Sequence, residues 1–188
     1  MKSRIGVLLG GVAVALLMMV SGTGVAGATA DRTEFVGQAR AAGLSTDKAN
    51  ALQAKVDRYL LALKGHGKQV SPNQIDLNGA VLNVAVPGED KPRQFGATGI
   101  PQCAGASANY EWFCAYQYEH YTGDHIGMWS CGYYSIPWVS IGSYQNNQTA
   151  GTVPTVYFDG GTSQDLPPAR YLESEWVPWY RIHTVRNC

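Results

Sequence analysis

Charged residues are scarce in this sequence, and neither sign is in excess. They make up 15% of the 188 residues, with 14 Lys and Arg against 14 Asp and Glu. Lys2 and Arg4 are the only charged residues in 1–30, so the rest of the chain has a net charge of about −2. Such a chain has no electrostatic reason to bind nucleic acid or an anionic membrane, and neither is expected as a partner.

Catalytic motifs are also missing. The sequence contains no H-E-x-x-H, no G-x-S-x-G and no C-x-x-C. These patterns mark zinc peptidases, serine hydrolases and many metal or redox sites. We therefore expect neither enzyme activity nor a bound cofactor.

One short stretch does combine acidic and imidazole side chains. Glu119-His120 and Asp124-His125 flank a glycine turn, and such side chains together could bind a metal ion. They could equally be polar residues on an exposed hairpin. We favour this second interpretation, so no metal site is expected.

The first half of the chain has no cysteine, and the second half has four. An even number of cysteines in an exported chain predicts two disulfides, for which three connectivities are possible. A zinc site would need closely spaced cysteine and histidine pairs, which are not present. The four residues are Cys103, Cys114, Cys131 and Cys188.

Residues 1–30 have the pattern of a cleavable secretory signal. Lys2 and Arg4 precede an almost wholly apolar stretch at 5–20, and small residues ending in Ala28-Thr29-Ala30 follow it. A membrane anchor is the alternative, but the stretch has about 16 residues against the roughly 20 that span a bilayer. We expect a secreted, extracellular protein. No later segment is apolar enough to span a membrane.

Residues 31–95 form one kind of sequence. Periodicity predicts a short helix at 33–42 and a second helix capped by Ser45, whose single apolar stripe is typical of a docking face. Asn78-Gly79 lies between two alternating apolar runs and predicts a β-hairpin. This segment carries no constellation of reactive groups. A role as a spacer or folding aid is the favoured interpretation.

A Gly/Pro-rich linker at 96–102 separates this segment from an aromatic, cysteine-bearing region at 103–188. Short strands joined by Gly, Pro and Asn turns, without helices, predict a sandwich or small barrel. Exposed Gly/Pro linkers are preferred cleavage sites, so limited proteolysis should first cut within 96–102. The predicted strands cover 112–118, 125–131, 136–144, 153–159 and 179–185.

The motif Tyr116-x4-Tyr121-x-Gly123 resembles the folded-hairpin signature of βγ-crystallin modules. In that family an aromatic ring packs over the hairpin, and the glycine adopts a backbone conformation that a Cβ disfavours. A serine about twenty residues further on ties the hairpin down by hydrogen bonding, and Ser143 stands at that offset. The resemblance implies a βγ-crystallin-like Greek-key β-sandwich over 103–188, preceded by the helical and hairpin segment.

The neighbouring sequence is similar to that of small secreted bacterial peptidase inhibitors of this type. Their Ser-rich, Asn-Asn segment resembles 143–149, and their opening cysteine and aromatic-Cys-x-Tyr strand resemble Cys103 and the run Phe113-Cys114-Ala115-Tyr116. The resemblance implies a monomeric inhibitor of a secreted peptidase, most often a metallopeptidase. Calcium-binding members carry an Asn/Asp pair where this chain has Trp138-Val139, so no calcium site is expected.

We expect the bridges to join Cys103 to Cys114 and Cys131 to Cys188. The second bridge would anchor a short aromatic segment that we predict to be the inhibitory loop, pre-ordered so that little entropy is lost on binding. Alternatively, its tyrosines simply cover the end of the sandwich. The predicted loop consists of Cys131, Gly132, Tyr133, Tyr134, Ser135 and Ile136.

Two other functions remain open. The first is an extracellular module that binds glycan or cell wall through exposed aromatic rings, and the second is a structural or surface protein with no discrete ligand. Aromatic residues at strand spacing are more often core residues, and at least half of the candidates are expected to be buried. The candidates are Trp129, Tyr133, Tyr134, Trp138, Trp176, Trp179 and Tyr180.

Overall fold

A computed structural model describes residues 24–95, 103–104 and 107–188 of the chain. The predicted linker at 96–102 and most of the predicted signal peptide therefore lie outside the described residues. No helix in the described part is long and apolar enough to cross a membrane.

Two helices open the described chain. Helix α1 covers Gly24–Ala41 and helix α2 covers Thr46–Ala62. The predicted cap of the second helix is confirmed, because the Ser45 hydroxyl accepts a hydrogen bond from the Lys48 amide at 3.3 Å. The predicted apolar stripe is also confirmed. It buries Leu52, Val56 and Tyr59 against the rest of the core.

Thirteen short strands follow in the described residues. The N-terminal segment supplies β1 (Lys68–Ser71), β2 (Gln74–Asp76) and β3 (Ala80–Asn83). Cysteine-linked strands come next, with β4 (Cys103–Ala104), β5 (Ser107–Ala108), β6 (Trp112–Tyr118) and β7 (Thr122–Met128). The remaining strands are β8 (Tyr133–Ser135), β9 (Gly142–Asn147), β10 (Thr155–Phe158), β11 (Ser163–Asp165), β12 (Tyr171–Val177) and β13 (Ile182–Arg186).

These strands form two main antiparallel sheets. One has seven strands in the order β1-β2-β3-β7-β6-β9-β12, and the other has four in the order β11-β10-β13-β8. Of the strands β6–β9, all lie in the larger sheet except β8. Of the strands β10–β13, all lie in the smaller sheet except β12. Strand β8 lies beside β13, and β12 lies beside β9. The strands β4 and β5 form a separate two-stranded ladder.

The N-terminal hairpin is part of the larger sheet. The predicted hairpin turn is confirmed, with φ of 56° at Asn78 and 107° at Gly79, both in the left-handed region that Asn-Gly tolerates. Strand β3 then pairs with β7 along four residue pairs, from Ala80 opposite Met128 to Asn83 opposite His125. The hairpin was predictable from the turn, whereas its pairing with a strand forty residues later was not.

The protein is mainly β. Helix α2 contacts β1 and β2 at one end of the seven-stranded sheet, and residues of α2 and of the four-stranded sheet share a core with that sheet. One hydrophobic core runs through both regions, and its members include Leu52, Ile75, Leu82, Phe113, Ile126, Tyr144, Val156 and Val185. The architecture agrees with the predicted mainly β class.

Three predicted strands have clearly different bounds in the structure. The strand predicted at 125–131 lies three residues earlier in the sequence, as β7, and 129–131 are not part of it. The prediction of a strand at 136–144 was wrong for its first half, because Pro137 has no amide hydrogen to pair and the chain crosses between sheets until Gly142. The predicted strand at 179–185 begins instead with a turn of 3-10 helix, Trp179–Arg181, before β13. That turn buries Trp179, whose indole donates to the Tyr116 carbonyl at 2.7 Å.

Candidate functional site

The predicted disulfide pairing is confirmed. Cys103 bonds Cys114 with their Cα atoms 5.8 Å apart, and Cys131 bonds Cys188 with their Cα atoms 5.4 Å apart. The first bridge fixes the β4–β5 ladder to β6. The second joins the last residue of the chain to the segment that begins β8. The predicted inhibitory loop is therefore covalently attached at one end.

Hydrogen bonds hold the rest of that segment in place. The Gly132 amide donates to the Asn187 side-chain oxygen at 2.9 Å, and the Asn187 amide donates back to the Gly132 carbonyl at 3.3 Å. The Ile136 amide donates to the His183 carbonyl at 3.0 Å. Residues 131–136 thus form a fixed, extended edge strand of the four-stranded sheet and do not protrude as a loop.

Side chains along this edge strand alternate between solvent and core. Tyr133 is 65% exposed, whereas Tyr134 is 6% exposed and Ile136 is 8% exposed. The Tyr134 hydroxyl donates to the Ser130 carbonyl at 2.9 Å, which fixes that ring in the core. Tyr134 and Ile136 were both placed in the predicted inhibitory loop, and the structure corrects this by making them core residues. Of the three side chains, only Tyr133 is accessible.

A groove of about 550 Å³ lies between β8 and the N-terminal segment. Tyr133 and Ser135 form one wall, and residues of the turn after α2 and of the β2–β3 hairpin form the other. The hairpin closes one end of the groove, because the Gly79 carbonyl accepts hydrogen bonds from the Trp129 and Ser130 amides, both at 3.1 Å. The groove opens onto the free edge of β8.

The four residues of the βγ-crystallin-like motif come together around the β6–β7 turn. The rings of Tyr116 and Tyr121 meet edge to face with centroids 5.4 Å apart. Ser143 is fully buried, and its hydroxyl accepts from the Tyr121 amide at 3.0 Å and donates to the Tyr118 carbonyl at 2.7 Å. Gly123 has φ of 77°. A Cβ there would lie 2.6 Å from the Tyr118 ring, so this turn requires glycine.

Asp124 has partners that the sequence did not reveal. Its side chain is fully buried and accepts hydrogen bonds from the Lys55 ammonium and the Ala85 amide, both at 2.7 Å, and from the Tyr59 hydroxyl. Burial and the Asp124 carboxylate raise the pKa of Tyr59, so the phenol stays a donor. Lys55 and Tyr59 are four residues apart on one helix face, the only signal in the sequence that they could act together.

The interpretation of 119–125 as polar residues on an exposed hairpin was therefore wrong for its second half. Besides Asp124, His125 is 4% exposed, and burial lowers its pKa to about 3. Among the residues that the structure describes, its Nε2 atom has no hydrogen-bond partner. In the described part of the chain, no group of three or more His, Cys, Asp or Glu side chains is arranged to hold a metal ion.

The aromatic candidates divide between core and surface. Tyr134, Trp138 and Trp179 are buried, so fewer than the expected half belong to the core. The exposed residues are Trp129, Tyr133, Trp176 and Tyr180, with exposures of 44%, 65%, 75% and 50%. They lie near the ends of different strands.

The chain was compared with protein-family models, with curated proteins and with solved structures, and nothing matches it.

Proposed function

We propose that the protein is a secreted inhibitor of an extracellular peptidase, most suitably a metallopeptidase that prefers large side chains. The observation that carries the proposal is the edge strand at 131–136. It is extended, it is bonded at both ends, and it presents Tyr133 to solvent. A peptidase binds its substrates as extended segments, often by pairing with a strand edge.

The backbone of this strand supports the same mode of binding. The Ile136 amide donates to His183 of β13, and the Gly132 carbonyl accepts from Asn187, the residue after β13. Because peptide groups alternate in direction along a strand, those of Tyr133 and Ser135 face the free edge. A strand held in its bound shape loses little conformational entropy on association. Tyr133 would fill the specificity pocket, and the disulfide would keep the segment in place.

We also propose that β6 to β13 form a βγ-crystallin-like Greek-key domain. Two observations support this fold type. Each sheet takes its outer strand, β8 or β12, from the other half of the domain. In addition, Ser143 ties down the hairpin that Tyr116, Tyr121 and Gly123 form, as the resemblance implies.

The inhibition experiment uses the purified protein against a panel of secreted peptidases. Tyr133→Ala should weaken inhibition about 30-fold or more, the usual effect of removing a central aromatic contact. Tyr180→Ala is the matched control, because Tyr180 is a comparably exposed tyrosine at another place in the fold. It should inhibit like the wild type, and both variants should melt within a few degrees of it.

Inhibition of no peptidase in the panel would overturn the proposal. Equal inhibition by Tyr133→Ala and the wild type would overturn the assignment of the site. Ala at Tyr134 or Ile136 is not a useful probe of the contact surface, because both side chains are buried and their loss lowers stability first.

Secretion is tested separately. Protein recovered from the medium of an expressing cell should begin at Asp31, the residue after Ala28-Thr29-Ala30. Mass spectrometry of the intact protein measures this directly. Retention of 1–30 on the protein, or its presence only in the cell fraction, would contradict export by a cleaved signal.

A glycan-binding function is the second candidate, and one ring pair favours it. Trp112 and Trp129 pack with centroids 4.8 Å apart, and Trp129 remains 44% exposed. Aromatic faces of this kind suit sugar rings. If the protein binds insoluble cell-wall polysaccharide, Trp129→Ala should release it while peptidase inhibition is unchanged. Absence of any polysaccharide binding by the wild type would remove this candidate.

A further inference from the structure

A cavity of about 290 Å³ opens between the edges of the two sheets, where β12 approaches β10 and β11. We propose that this β12 cavity binds a substituted ammonium cation, either a lysine side chain or a small organic amine. Its inner walls are apolar, and its mouth carries two carboxylates and two aromatic rings. The residues at the mouth are Tyr171, Glu173, Glu175 and Trp176.

Trp176 is the first reason for this proposal. The side chain is 75% exposed, so its position gains little from burial on folding. Its φ of 63° lies in the left-handed region, where a bulky residue is an outlier. Strained residues of this kind cluster at sites that contact ligands. Neither core packing nor backbone preference accounts for a tryptophan here, whereas contact with a ligand does.

The backbone around Trp176 holds it in this position. The register between β12 and β9 shifts between Glu173 and Val177, so the strand bulges at the tryptophan. The Trp176 amide donates to a Glu119 carboxylate oxygen at 3.1 Å, which stabilises the bulge. The indole is therefore held at the mouth of the cavity by a hydrogen-bonded bulge of β12.

Charge is the second reason. Glu173 accepts hydrogen bonds from the Tyr171 hydroxyl at 3.4 Å and from the Glu175 amide at 3.5 Å. Glu175 lies 3.7 Å from the His120 imidazole. Neither carboxylate forms a salt bridge to lysine or arginine within the described residues, and no lysine or arginine lines the cavity.

One of these carboxylates, that of Glu173, also acts on the inner wall of the cavity. Burial, followed by Tyr171 and Glu173, raises the pKa of Tyr144 on the inner wall. Arg181 lies outside the lining, and its guanidinium is 5.8 Å from the ring of the lining residue Phe158. The mouth is therefore negative, and an anionic ligand is disfavoured there.

Aromatic faces combined with carboxylates form the usual recognition site for substituted ammonium groups. The ring face attracts the cation, and its methyl or methylene groups pack against apolar walls. A lysine side chain or a choline-like amine has both properties. The proposal does not depend on peptidase inhibition, because β8 and Tyr133 take no part in it.

The test is an NMR titration of the full-length protein that follows the indole N–H signals, with Trp176→Phe used to assign the signal of Trp176. Choline and an Nα-acetyl-lysine amide are the two cationic probes, and 3,3-dimethylbutanol is the neutral isostere of choline. Both cations should shift the Trp176 signal in a saturable way, and the isostere should not. Tighter binding of the lysine probe identifies a protein segment as the source of the cation, and tighter binding of choline identifies a small amine.

Two variants sharpen the titration. Glu173→Gln should weaken binding about tenfold, whereas Glu111→Gln, which neutralises an exposed carboxylate bonded to Thr149 outside this cavity, should bind like the wild type. Equal binding of the neutral isostere, or no shift of the Trp176 signal with either cation, would overturn the proposal. So would unchanged affinity in Glu173→Gln.

Trp176→Gly separates the proposed role from a structural one. Glycine adopts a positive φ without strain, so this variant should melt at the same temperature as the wild type or higher, while binding of both cations is lost. A melting temperature lowered by several degrees would show that the indole serves the fold. That result, or retained binding in Trp176→Gly, would refute the site.

Discussion

Residues 103–188 and residues 24–95 are stabilised by different kinds of interaction. Residues 103–188 have two disulfides, and the buried Ser143 forms hydrogen bonds that hold the β6–β7 hairpin. Residues 24–95 contain no cysteine. They are attached through apolar contacts of α2, the pairing of β3 with β7, and the buried carboxylate of Asp124. One part has covalent bonds, whereas the other depends on packing and a few polar contacts.

This difference shows that a change in composition does not mark a break in the fold. The sequence changes character at 96–102, yet one sheet and one core extend across both parts. Asp124 belongs to the second part, whereas its donors, Lys55, Tyr59 and the Ala85 amide, all belong to the first. Within the described residues, a buried charge in one part is therefore balanced by donors of the other. That limited proteolysis first cuts within 96–102 stays a prediction.

The largest predicted loss of stability concerns Asp124, which connects the two parts of the chain. Asp124→Ala leaves the Ala85 amide and the Tyr59 hydroxyl without their buried acceptor and removes the salt-bridge partner of Lys55. Breaking a buried pair by removing one partner costs about 3–5 kcal/mol. The free energy of unfolding, measured by urea denaturation, should fall by this amount.

Asp159→Asn is the control, since Asp159 lies on an exposed turn and should change stability by less than about 0.5 kcal/mol. A second readout follows cleavage at 96–102. Wild-type fragments should elute together on gel filtration, and the Asp124→Ala fragments should separate. Wild-type fragments that separate at once would show that the joint is weak, and a small effect of Asp124→Ala on unfolding would show the same.

Local sequence signals predicted several elements correctly and their partners poorly. Six of the thirteen described strands lie outside the predicted ones, namely β1, β4, β5, β8, β11 and β12. The Ser45 cap, the helix stripe and the Asn78-Gly79 turn are all encoded within a few residues, and all three are confirmed. Strand β1 has no such signal and was missed, because a four-residue edge strand is defined mainly by the strand beside it. The β3–β7 pairing depends on contacts between distant residues, which turn and periodicity rules do not encode.

The candidate site was predictable to a similar extent. The disulfide pairing was predicted correctly, with one bridge closing a short loop and the other tying the last residue back to the β-region. The accessibility of 131–136 did not, because the segment is strand and not loop, so alternate side chains point into the core. Asp124 was taken for a turn residue, since burial of a carboxylate is visible only when the helix that covers it is placed.

The next prediction concerns the two disulfides of residues 103–188, the β-domain. Removing the Cys131–Cys188 bridge, as Cys131→Ala with Cys188→Ala, should cost about 2–4 kcal/mol, because that bridge restricts a long loop of the unfolded chain. Removing the Cys103–Cys114 bridge should cost less, since its cysteines are only 11 positions apart in the sequence, against 57 positions for the other pair. Urea denaturation of the two double variants measures both costs. The reverse order would contradict the entropic argument.

Acid pH should lower the free energy of unfolding through His125, which lies where β7 pairs with β3. This residue lies on β7 opposite Asn83 of β3, and burial lowers its pKa from 6.5 to about 3. The unfolded chain therefore binds a proton between those values and the folded chain does not, so stability falls as the pH drops through that range. The slope is about 1.4 kcal/mol per pH unit for one proton.

A neutral replacement isolates this contribution from that of the carboxylates. Unfolding free energies of the wild type and His125→Gln are measured at several values between pH 6.5 and pH 4.5. The wild type should lose about 2 kcal/mol more than the variant over these two units, because the histidine of the unfolded chain is already half protonated at pH 6.5. Parallel pH profiles of the two proteins would show that His125 does not titrate on unfolding.

The smallest effect concerns the hairpin tie within the β-domain. Ser143→Ala removes a buried hydroxyl that bridges the Tyr121 amide and the Tyr118 carbonyl, and leaves that amide without an acceptor. The expected cost is about 1–2 kcal/mol, the penalty for an unsatisfied buried donor. Ser140→Ala is the matched control, because Ser140 only donates to the Gln117 carbonyl at 2.7 Å and is partly accessible to water. It should cost less, since water can replace the lost donor. Equal costs for the two serines would mean that the tie adds nothing beyond an ordinary surface hydrogen bond, and that the stability of the β-domain comes from its disulfides and core alone.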